Sequence, residues 1–224
     1  MAFVHTETIP FDSATERKRK RESLVELYWK VRKVLSIPLL ALLPIGRQRD
    51  VIQKDVEQWV KTLQGRDCRF FSDLLFLLGR YPEFRSLYYY RISRGSIAGE
   101  AACIIARALF KPMPTLHLTS VEIGPGFFIQ HGYATAVSAH RIGSNCSINQ
   151  CAAIGWTDRT RPPIIGNNVH IKNGAKVLGP ITVGDNVIVG ANAVVVKNVP
   201  PNCVVTGVPA RIVRRDGVRV DEPL

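Results

Sequence analysis

The stretch "GAKVLGPITVGDNVIVGANAVVVKNVPPN", Gly174 to Asn202, decides the fold. Val177, Val183, Val189 and Val195 recur at every sixth position. An α-helix repeats its inward face about every 3.6 residues and a strand about every two, so a period of six belongs to neither. It suits a three-sided β-coil, in which one Val or Ile per side points inward and stacks on its equivalent in the next coil.

Towards the N-terminus the spacing continues through Ile171, Ile165, Ile154, Ile148, Ile142, Ile129 and Ile123. Two intervals are irregular. Ile129 to Ile142 reads as a six and a seven, and Ile154 to Ile165 as a six with five residues inserted, in the loop "GWTDRTRPPII" (Gly155–Ile165). Three sides of six make a coil, so Ile123 to Pro200 predicts about four coils of parallel β-helix, a mainly β domain placed at residues 116–213.

Residues 1–115 read as an α-helical N-terminal domain. "SLVELYWKVRKVL" (Ser23–Leu35), "DVIQKDVEQWVKTLQG" (Asp50–Gly65) and "SIAGEAACIIARALF" (Ser96–Phe110) carry apolar residues at helical spacing, with Ser23 and Asp50 as candidate N-caps. "YPEFRSLYYYRIS" (Tyr81–Ser93) predicts a further helix with Pro82 in its first turn. Residues 214–224 read as a short polar tail.

The chain has 224 residues, 46% of them hydrophobic, and a formal charge of +12. Such a composition excludes a disordered chain and suits an anionic partner, whether a membrane surface or a phosphorylated ligand. The cations are scattered and no nucleic-acid motif accompanies them, so nucleic-acid binding is not expected. The five cysteines form no C-x-x-C pair and no metal-ligand cluster, which predicts no metal site and fits a reducing cytoplasm. No secretory signal is read at the N-terminus, and the apolar run Val34–Ile45 is too short to span a bilayer.

Within "GFFIQHGYATAVSA" (Gly126–Ala139), His131 stands among apolar residues with no acidic neighbour. A histidine so placed is usually structural.

Three stretches, "IGPGFFIQHGYATAV", "GAKVLGPITVGDNVIVGANAVVVKNVPPN" and "GVPARIV", resemble the hexapeptide-repeat acyltransferases, in particular the serine acetyltransferase-like branch. The resemblance implies a left-handed β-helix, a homotrimer, and acetyl-CoA as co-substrate in a groove between neighbouring coils. It implies His131 as the general base that takes the proton of an acceptor hydroxyl. Similarity to the galactoside and maltose acetyltransferases carries over Asn173 and Ala191 to the pantetheine arm, Lys197 to the phosphates, and Arg211 and Arg214 to the nucleotide. Two-donor guanidinium groups suit a polyanion. The plainer readings are a solvated basic tail for Arg214 and ordinary turns for Asn173 and Ala191.

Where serine acetyltransferases carry an aspartate before the histidine, another about fifteen residues earlier, and a later His-Pro, this chain has Gln130, Leu116 and Arg161-Pro162. An ammonium group on the acceptor wants carboxylate partners, and Gln130 offers an amide dipole. The departures, with "PEFR" and "YYYRI", resemble the acetyltransferases of surface polysaccharides. The expectation is O-acetylation of a sugar hydroxyl in a glycan or its precursor, with Gln130, Trp156, Arg159 and Arg161 at the acceptor. Trp156 reads equally as packing against a neighbouring subunit. The alternatives are serine O-acetylation in cysteine synthesis and a β-helix scaffold without catalysis. The segment Glu16–Arg49 holds ten cations beside an apolar run, a composition suited to peripheral contact with an anionic membrane or to a helix packed under the trimer.

Overall fold

The computed structural model describes residues 12–157 and 161–224. The helical part comprises α1 (Asp12–Leu35), a 3-10 turn (Ile37–Ala41), α2 (Leu42–Gly46), α3 (Arg49–Gln64), α4 (Phe70–Arg80), α5 (Pro82–Gly95) and α6 (Ile97–Leu109). Pro82 opens α5, where a missing amide costs no helical bond. Ser96 caps α6, its hydroxyl accepting from the Gly99 amide at 2.9 Å. The two caps expected from sequence are not caps: Ser23 lies inside α1, and Asp50 sits in the first turn of α3 behind Gln48. Helix α4, "FFSDLLFLLGR", went unread because a short, largely apolar run does not by itself distinguish helix from strand.

The remainder is a prism wound coil by coil. The first coil holds β1 (Leu116–Leu118), β2 (Glu122–Ile123) and β3 (Phe128–Gln130); the second holds β4 (Thr135–Val137), β5 (Arg141–Ile142) and β6 (Ser147–Asn149). The third holds β7 (Ala153–Gly155), β8 (Ile164–Ile165) and β9 (His170–Ile171), and the fourth β10 (Lys176–Leu178), β11 (Thr182–Val183) and β12 (Ile188–Val189). A last coil holds β13 (Val194–Val195), a bridge from Val199 to Val183, and β14 (Cys203–Thr206).

Strands pair in parallel with their equivalents in adjacent coils, giving a first face β1-β4-β7-β10-β13, a second β2-β5-β8-β11 and a third β3-β6-β9-β12-β14. The inward residues Ile129, Ile148, Ile171, Val189 and Val205 are all buried, each worth about 1.5–3 kcal/mol of transfer free energy.

The stack has about five coils rather than four. It begins earlier than Ile123, at Leu116, and continues past Pro200 to Thr206. Both ends were hidden because their sides are short: Leu118 to Ile123 is five residues, and Val195 to Val199 is four. The interval Ile129–Ile142 divides at buried Val137 into eight and five, not six and seven.

Residues 214–224, expected as a tail, are largely strand. Arg211–Arg215 (β15) and Val218–Pro223 (β16) fold back antiparallel on β14 and extend the third face.

The helices grip the prism at one seam. Arg91 of α5 pairs with Asp55 of α3 at 2.8 Å and donates to the carbonyls of Ile123 and Gly124; Asp55 accepts the amides of Gly126 and Phe127 at 2.8 and 3.0 Å. Trp59 donates its indole N–H to the Phe127 carbonyl at 2.9 Å. The chain from Ile123 to Phe127, which leads directly into β3, is thereby fixed.

Candidate functional site

Register on the third face sets the geometry of the site. Ile129 pairs with Ile148, Ile148 with Ile171, and Ile171 with Val189. Two residues further on in each coil stand His131, Gln150, Asn173 and Ala191, one above another at the corner between the third and first faces. Coils stack about 4.8 Å apart, so the column from His131 to Ala191 runs about 14 Å. The Gly174 amide donates to the Gln150 carbonyl and the Asn192 amide to the Asn173 carbonyl, each at 3.0 Å, tying the rungs together. His131, Asn173 and Ala191 are exposed, with Gln130 beside His131 also exposed. Gln150 is half-buried, and its side-chain Oε1 has no hydrogen-bond partner. Sequence reading did not single out Gln150; its place in the column emerges only from the register.

His131 differs from the residues stacked beneath it. Ile129 to Val137 takes eight residues where Ile148 to Ile154 takes six, so the His131 corner carries two extra residues. His131 itself adopts φ +67°, a left-handed conformation that costs an ordinary residue of the order of 1 kcal/mol, and the other three members of the column do not. Gly132 follows at φ +55°, and a Cβ on it would stand 2.9 Å from the Met113 sulfur and 3.2 Å from the Glu83 Cβ. The bulge is therefore pressed against the helical part, and glycine is required at its contact point.

The contact brings an acidic residue to the corner. Glu83, second residue of α5, is 8% exposed. Burial pushes its carboxyl above the usual range, against the opposing pull of its own backbone amide, the charged form of the His131 imidazole, and Arg85. The local sequence shows His131 without an acidic neighbour; the fold supplies one from 48 positions upstream (131 − 83). "PEFR" was visible in the sequence, but nothing local connected it to the histidine.

The other residues singled out from sequence lie elsewhere. Trp156, 46% exposed, and Arg161, also exposed, belong to the inserted loop at the corner between the first and second faces. Within one chain the first face separates them from His131. Arg159 lies outside the described residues. Lys197 donates to the Leu224 carbonyl at 2.7 Å, and Arg211 pairs with Asp221 at 2.8 Å. Both line a pocket with Gly207, Pro209, Pro223 and Leu224. Arg214 is exposed on β15 opposite Arg219 of β16, so it stands in a strand pair rather than in a solvated tail. His140 is exposed, whereas His170 is half-buried with its Nδ1 2.7 Å from the Ser147 hydroxyl, and burial followed by nearby Lys172 holds its pKa low.

The model of the family described as "Bacterial transferase hexapeptide (six repeats)" matches residues 162–197. A serine acetyltransferase of Synechococcus elongatus is 39% identical over 151 residues, covering 63% of this chain and 61% of that protein. The chain thus spans about three fifths of the length of that relative. Among solved structures, a serine acetyltransferase in complex with CoA is 30% identical, covers 73% of this chain and 68% of its own, and superposes with a TM-score of 0.52. The serine acetyltransferase of Neisseria gonorrhoeae, at 24% identity, covers 78% of this chain and 69% of its own with a TM-score of 0.60, and agrees in fold. The prism is accordingly a left-handed parallel β-helix. The chain belongs to the hexapeptide-repeat acyltransferases, in their serine acetyltransferase-like branch.

Proposed function

We propose that the protein transfers acetyl from acetyl-CoA to a hydroxyl, with His131 as general base and free serine as the first acceptor to be tried. The observation that carries the reading is the exposed column at one corner, with a histidine at its head and small or amide residues on the rungs beneath. A thin, extended pantetheine arm suits a column of about 14 Å with Asn173 and Ala191 along it. CoA supplies an activated acyl group as a thioester. His131 takes the hydroxyl proton as the oxygen attacks, an assistance worth roughly 10²- to 10⁴-fold. Serine is put first because the relatives at 39% and 30% identity are named serine acetyltransferases.

A second acceptor, a sugar hydroxyl of a surface glycan or its precursor, is favoured by Gln130, exposed beside His131 where the serine enzymes carry an aspartate. Turnover assays with L-serine and with nucleotide- or lipid-linked sugars separate the two. Efficient acetylation of serine refutes the glycan reading, and acetylation of a sugar with serine inert refutes the other.

The working unit we propose is a homotrimer. Its support is the division of the candidate residues between corners: His131 and Gln130 on one, Trp156 and Arg161 on another. An acceptor touched by both groups needs two chains. Arg211 is held by exposed Asp221 of β16 in a pair worth at most about 1 kcal/mol, and Lys197 by the carbonyl of Leu224 just past β16; such contacts exchange readily for nucleotide phosphates.

We also propose a cytoplasmic location with peripheral contact at an anionic membrane. Among the described residues no helix is long and apolar enough to cross a bilayer. Helix α1 leaves Leu24, Leu27, Tyr28, Val31, Val34 and Leu35 exposed at helical spacing, flanked by Lys20, Arg21 and Arg32.

A further inference from the structure

We infer that Glu83 is a positioning residue for His131, a carboxylate brought by helix α5 to a corner whose own strands supply none. The inference rests on the reading of His131 as base and deepens it.

The geometry is a three-part contact. The His131–Gly132 bulge leans on the first turn of α5, close enough that a single methyl group on Gly132 would crowd both Glu83 and Met113. On the prism itself, Gln130 beside His131 in sequence and Gln150 beneath it in the column are uncharged. An acid in the first turn of a helix commonly serves the helix alone, facing water. Glu83 does not face water, and an almost buried carboxylate is unfavourable unless a partner meets it.

Two cations are near enough to act on Glu83, and one is engaged elsewhere. The Arg85 guanidinium donates to the carbonyls of Lys111, at 3.1 Å, and Leu78, at 2.5 Å. Besides its own backbone amide, Glu83 is left with His131 as the charged group acting on it. The influence matters at one moment of the reaction: once the hydroxyl proton sits on the ring, an imidazolium stands within electrostatic reach of a carboxylate held at its own helix N-terminus. Stabilising charge that appears only during reaction lowers the barrier without tightening substrate binding.

The test uses the full-length protein with Glu83→Gln, which keeps shape and removes charge, and Glu83→Asp, which keeps charge and shortens its reach. Glu83→Gln is expected to lower kcat by roughly tenfold, the low end for losing a nearby opposite charge, with KM for acetyl-CoA unchanged. Glu83→Asp is expected to fall between it and the native protein. In a His131→Ala background Glu83→Gln should cause no further loss, because the two residues act as one unit. A second readout needs no turnover. The ¹⁵N resonances of the His131 ring should move in Glu83→Gln and stay in place in a Glu100→Gln control. Equal fractional losses with and without His131, or ring resonances indifferent to Glu83, overturn the inference. Should no acceptor be found, the resonances still decide whether the two side chains are coupled.

Discussion

Asp55 and Arg91, both buried, pair at 2.8 Å across the junction of α3 and α5, and each also holds the backbone that leads into His131. One ion pair thus joins the helices to the prism and fixes the approach to the candidate base. A buried pair stabilises little compared with an apolar replacement of both members, but removing one member leaves a stranded charge. Asp55→Ala is expected to destabilise the fold by about 3–5 kcal/mol in denaturant titration. Asp55→Ala with Arg91→Met should cost less than the two changes added. Additive losses would contradict the pairing.

Glu83 carries a pH signature in stability. Burial raises its carboxyl in the folded state, with His131 and Arg85 the charged groups facing it. A carboxyl that binds its proton more tightly when folded contributes stability in full below its unfolded pKa, about 4.3, and loses it as pH rises through the folded value. Glu83→Gln should therefore melt above the native protein at pH 8 and level with it near pH 4. Thermal melts at the two pH values check this. A lower melting temperature at pH 8 would mean that the carboxylate is well satisfied where it lies.

The division of residues between corners makes a prediction about mixtures. His131→Ala and Arg161→Ala, each impaired alone as a homotrimer, should regain acetyl transfer when co-expressed, since mixed trimers contain sites lacking neither residue. Activity no greater than that of either variant alone would mean that one chain builds the whole site.

For the membrane, the exposed apolar positions of α1 are the lever. Flotation with vesicles containing anionic lipid should carry the native protein upward at low salt. Leu27→Glu with Val31→Glu, both on the exposed side of α1, should abolish flotation without changing the melting temperature. Equal flotation of the variant would assign that face to another partner.

The prism was legible because its physics is periodic. An inward Val or Ile every six residues is a local signal, and Ile142 through Val195 obey it wherever no residue is inserted. The ends escaped because the short sides at Leu118–Ile123 and Val195–Val199 break the period. His131, Asn173 and Ala191 were singled out through resemblance; that they share one column with Gln150 follows from strand register, which no single stretch contains. Glu83 was out of reach for another reason. Its meaning lies in a contact between α5 and a two-residue bulge, and a tertiary contact leaves no local trace. Helix α4 was missed because its eleven residues are mostly apolar, and so short an apolar run reads as strand as readily as helix.

The central claim is that His131 takes the acceptor's proton. Its most direct test is thiol release from acetyl-CoA, with L-serine and with sugar acceptors, by the native protein and by His131→Ala. Release should depend on acceptor and slow by about 10²-fold or more in the variant, with the coil stack intact by circular dichroism. Release by His131→Ala at the native rate would contradict that claim.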